Sequence, residues 1–126
     1  MDSKELRQRT KEFALRVIKV VGALPKEQAA FVIGRQLLKS GTSIGANYRE
    51  ALRASSRRHF ISTLEISARE ADETLYWLEL LAESQLVKPA RLTDITDECN
   101  QLLAILSATI RSTKQRTPPK PKNPKS

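Results

Sequence analysis

The chain has 126 residues, 40% hydrophobic and 29% charged, which suits one folded domain and is too short for two. Aromatics at only 5% argue against a β-sandwich or barrel, a single Cys excludes an internal disulfide, and a single His excludes most zinc sites. Lys and Arg number 22 against 14 Asp and Glu, a net charge of +8 that favours a polyanionic partner. No signal-peptide pattern or apolar run near the ~18 residues of a membrane span is present, so a soluble cytoplasmic protein is expected.

The first helix is expected from Met1 to Leu24. Leu6, Phe13, Val17, Val20, Val21 and Leu24 recur at helical spacing. Asp2 or Ser3 can cap its start, and Pro25 ends it. The second helix is expected over about Lys26 to Arg53, with Ala30, Ile33, Leu37, Ile44, Tyr48, Ala51 and Leu52 on its apolar arc. Gly34, Gly41 and Gly45 fall on one line beside that arc. Each weakens the helix by about 1 kcal/mol relative to Ala, so the line suggests close approach of a neighbouring helix. Arg35, Lys39, Arg49 and Arg53 form a basic stripe on the far side.

Ser55 and Ser56 are caps for a third helix, Arg57 to Glu83. Phe60, Leu64, Ser67, Ala71, Leu75, Leu78 and Ala82 make a bundle seam in steps of 3 and 4. The small residues Ser67 and Ala71 are the expected seat of the glycine line. Ile66, Trp77, Leu80 and Leu81 form a second apolar patch with no use in a lone bundle, and are the expected oligomer interface. Thr93 is the expected cap of a fourth helix. Its seam, through Leu92, Ile95, Cys99, Leu102 and Leu106, fades by about Thr113.

Short connections near Pro25, Ala54–Ser56 and Ser84–Leu92 make successive helices antiparallel neighbours. The expected fold is therefore all-α, an antiparallel up-down-up-down four-helix bundle over residues 1–113. A disordered basic tail is expected over residues 114–126. Residues 111–126 hold Arg111, Lys114, Arg116, Lys120, Lys122 and Lys125 with no acid among them, and Pro118, Pro119, Pro121 and Pro124 prevent a helix.

No phosphate-binding glycine loop, nucleophile elbow or His-Glu-x-x-His motif occurs, so no catalytic residue, metal or cofactor is expected. Glu65, Asp72, Glu79 and Glu83 make an acidic stripe better suited to solvation or ion pairing than to a cation site. Arg53 and His59 have the Arg-x4–6-His spacing of HEPN ribonucleases, but with so many cations such a pair is close to a chance event. Nucleic-acid contact would be electrostatic, through Arg35, Lys39, Arg49, Arg53, Arg111, Lys114, Arg116, Lys120 and Lys122, because no aromatic platform is evident. A protein-interaction scaffold without nucleic acid is one rival, and a HEPN-like ribonuclease using Arg53 and His59 is the other.

Two stretches, RQLLKSGTSIGANYREA and SSRRHFISTLEISAREADETLYWLELL, resemble the bundle proteins encoded in intervening sequences of bacterial 23S rRNA genes. The matching positions are Gln36, Leu37, Ser43, Ile44, Asn47 and Glu50, then Ser56, Phe60, Ile66, Ala68, Glu70, Glu73 and Leu78. The resemblance implies a left-handed bundle assembled as a ring-like homopentamer. It extends to accessory proteins of diversity-generating retroelements, which implies RNA and a reverse transcriptase as partners. Ser43, Asn47 and Glu50 also form one polar row, expected to be satisfied by the next helix.

Overall fold

A computed structural model describes residues 1–116. Four helices follow in order: α1 (Ser3–Gly22), α2 (Gln28–Leu52), α3 (Arg57–Glu83) and α4 (Pro89–Gln115), and among the described residues there is no strand. Each helix packs on the next in sequence. α1 and α4 meet lightly to close the bundle, and the backbones of the diagonal pairs stay further apart. The expected bundle is therefore observed.

The helix starts follow from side-chain chemistry. The Asp2 carboxylate accepts from the Glu5 N–H at 2.8 Å, and the Ser56 hydroxyl accepts from the His59 N–H at 3.0 Å. α4 differs from expectation. It begins at Pro89, whose missing N–H falls where a helix has no partner for one. Thr93 is therefore inside the helix, its hydroxyl 3.4 Å from its own Pro89 carbonyl, and caps nothing. The helix also runs to Gln115, because Thr113 is still buried against the bundle.

Phe13 and Val17 from α1, Leu37 and Ile44 from α2, Leu64 and Leu78 from α3, and Leu102 and Leu106 from α4 fill the core. The glycine line faces α1, not Ser67 and Ala71. Leu24, Val17 and Thr10 lie against Gly34, Gly41 and Gly45 in turn, which also fixes the antiparallel register. The small α3 residues serve different neighbours. The Ser67 hydroxyl donates to the Ile44 carbonyl at 2.8 Å, and the Cys99 thiol donates to the Ala71 carbonyl at 3.3 Å. The Thr74 and Ser40 hydroxyls meet at 3.0 Å inside the bundle.

Two further expectations change. Leu81 is fully buried, because the α3 seam takes a step of three after Leu78 and leaves Ala82 half-buried. It belongs to the core and not to an outward patch. The polar row is satisfied within its own helix. The Ser43 hydroxyl donates to the Lys39 carbonyl at 2.6 Å, and the Asn47 amide donates to the Ser43 carbonyl at 2.8 Å.

Candidate nucleic-acid interface

Antiparallel packing brings distant cations to one end of the bundle. The C-terminal part of α2 carries exposed Arg49 and, at its cap, exposed Arg53. The chain then turns into α3, whose first turn holds Arg57, Arg58 and His59. The Arg57 guanidinium donates to the Thr113 carbonyl, which pins the start of α3 to the end of α4. Exposed Arg111, Lys114 and Arg116 are thereby placed at the same end. Lys114 pairs with Glu65 at 3.2 Å, and the Arg116 guanidinium lies 3.4 Å from the Thr113 hydroxyl.

Helix ends of both signs meet here, and exposed Glu50, with Asp2 and Glu5 at the start of α1, offsets part of the cluster's charge. The first turn of α3 contains no acid, so its positive helix end adds to Arg57 and Arg58. Arg49 and Lys114 sit in the last turns of α2 and α4, where the dipole favours cations. From position 104 to position 116 there is no acidic residue.

Arg35 and Lys39 are not part of this cluster. They lie in the other half of α2, where the Arg35 guanidinium stacks over the Phe31 ring at 5.7 Å. Lys39 lies near Glu70, whose carboxyl is pushed up by burial and by the adjacent Glu73. Lys120 and Lys122 fall outside the described residues. Arg57 and Arg58 were absent from the sequence-based set. The signal that finds them is topological, since α3 must begin where α4 ends once the helices alternate.

The His59 backbone is tied into the α3 cap, and its imidazole has no hydrogen-bond partner among the described residues. Among the described residues no hydrogen bond orients the ring toward Arg53. Among the described residues no group of three His, Cys, Asp or Glu is placed to hold a metal ion, and none of the helices is long and apolar enough to cross a membrane. Burial, with Asp72 and Glu98 nearby, pushes the Cys99 thiol up to about 12, so it is a packing residue rather than a nucleophile.

Ile66, Trp77 and Leu80 remain half-buried on α3. Larger exposures lie elsewhere: Phe31 is 65% exposed, Val32 53%, Ile18 49% and Tyr76 52%. Apolar residues on the second helix's outer side gave no seam in the sequence pattern, which is why they were missed.

These features define a small all-helical bundle with a cationic end. The chain belongs to the 23S rRNA-intervening sequence protein family, whose model matches residues 3–108. It is also similar to a solved protein of unknown function from the S23 ribosomal protein family of Bacteroides thetaiotaomicron VPI-5482. That similarity is 39% identity with a TM-score of 0.82, covering 88% of this chain and 99% of the other. No curated protein matches the sequence significantly.

Proposed function

We propose that this protein is a non-catalytic, self-associating bundle that binds RNA through its cationic end. One observation carries the binding site. Arg49, Arg53, Arg57, Arg58, Arg111 and Arg116, from three helices, converge beside the positive end of α3. Such a surface attracts phosphates without reading bases. RNA is favoured over other polyanions by the family's link to rRNA intervening sequences. Self-association, as a ring of five in the resemblance, is supported by the apolar side chains left exposed on α1, α2 and α3.

The test is binding to a labelled single-stranded RNA across a salt series. Affinity should fall steeply, with a log–log slope of about −0.7 per phosphate neutralised. Binding that ignores salt, or is absent at low salt, would overturn the proposal.

A further inference from the structure

An open groove of about 570 Å³ runs along the outer seam of α1 and α2, near their connecting loop. Val21, Leu24, Pro25, Phe31 and Leu38 line it, with Arg35 on its rim, and no α3 residue reaches it. Phe31 is the most exposed large apolar side chain in the body of the bundle. The exposed charges that line the groove are Lys26, Glu27 and Arg35, so its rim is net positive, and none of the three forms an ion pair among the described residues.

α3 carries a second outward feature of opposite sign. Glu73, Tyr76, Leu80 and Glu83 follow in steps of 3, 4 and 3, so they form one row along the helix. Trp77 flanks the row, its ring edge-on to Tyr76 with centroids 4.9 Å apart. The acids have no cationic partner among the described residues. Glu83 is also the last residue of α3, where the negative helix end disfavours a carboxylate. In a lone copy this placement is destabilising.

We infer that the α1/α2 groove of one copy receives the Tyr76–Leu80 ridge of α3 from the next copy. The inference rests on the self-association proposed above and specifies its geometry. An apolar groove with a cationic rim meets an apolar ridge with an acidic rim, so hydrophobic burial and charge agree. A two-fold contact of groove on groove would bring two net-positive rims together, and ridge on ridge would bring two acidic rims together. Charge therefore favours pairing of the unlike faces, a head-to-tail contact.

A mixing experiment tests this geometry, with masses from light scattering. The wild-type chain should exceed the 14.2 kDa of one copy. Phe31→Glu removes the groove, and Tyr76→Glu removes the ridge. Both positions are more than half exposed, so circular dichroism should show an intact helical fold. Each variant alone should run as a monomer, and a one-to-one mixture should give a species of twice that mass and nothing larger. Leu38→Asp and Tyr76→Asp make a second pair with the same expected outcome. A mixture that stays monomeric, or a single variant that keeps the wild-type mass, overturns the groove–ridge pairing while self-association stands. A monomeric wild-type chain at micromolar concentration overturns both.

Discussion

Gly41 of α2 faces Val17 of α1 so closely that a methyl on its Cα would lie 2.8 Å from one Val17 methyl carbon and 2.9 Å from the other. The Val17 Cβ would be only 3.2 Å away, so rotating the side chain brings no relief. Gly41→Ala should therefore lose about 1–2 kcal/mol in chemical denaturation, after the gain in helix propensity is subtracted from the overpacking cost. Gly45→Leu, against Thr10, should lose about 1–3 kcal/mol. Gly34→Ala is the contrasting case. Its nearest neighbour is the mobile end of Leu24, so it should be as stable as the native chain or more so.

The light α1–α4 seam is held by a fork of charge-assisted bonds. The Arg9 guanidinium donates to both Glu98 carboxylate oxygens at 2.7 Å and to the Gln101 side-chain oxygen at 2.6 Å. The Arg9 and Glu98 side chains are only 24% and 18% exposed, so the pair is poorly screened. Arg9→Met should lower stability by about 1–3 kcal/mol and speed amide exchange in α1 more than in α3.

Gln85, just after α3, has a φ of 61°, a region that suits glycine. Gln85→Gly should stabilise the fold by up to about 1 kcal/mol, read as a higher denaturation midpoint. A lower midpoint would mean the Gln85 side chain contributes more than its backbone costs.

Cys99 links stability to alkaline pH. In the unfolded chain its thiol ionises near 9.0, whereas in the fold burial holds it protonated to about 12. Between these values the unfolded state releases a proton that the native state keeps. Its effect on stability is nil below about pH 8 and turns unfavourable as pH climbs from 9 toward 12. Cys99→Ala should flatten that part of the stability profile relative to the native chain. Native Cys99 should also react slowly with thiol reagents at pH 8 and rapidly once unfolded.

The cationic end makes a residue-level prediction for RNA. Arg53→Gln and Arg58→Gln should each weaken binding and reduce the salt slope by about 0.7. Arg35→Gln, in the other half of the bundle, should leave both unchanged. The reverse pattern would move the binding site onto the middle of α2.

Much of the fold was legible because apolar spacing and caps act locally. α3 runs from Arg57 to Glu83 as its Ser56 cap and seam foretold, and three glycines did not break α2. What local patterns could not show was direction. The wheel placed the glycines on one line, but whether Val17 or Ala71 lay opposite depended on how α1 and α3 were arranged about α2. Leu81 failed for a related reason, since steps of 3 and 4 from Leu78 both continue a seam. Half of the basic site was legible as composition. Its assembly from Arg53, Arg58 and Arg111 required the helices to be folded back on one another.

The start of α1 and the end of α4 lie beside Arg53 and Arg58, at a common end of the bundle. A reporter or affinity domain fused directly before α1 would hang over those arginines and shield them from a bulky polymer. The α3–α4 connection at Ser84–Lys88 opens at the opposite end. Labels placed there keep the arginines uncovered, so a fusion that abolishes the proposed RNA binding before α1 and spares it at that loop reports obstruction and not misfolding.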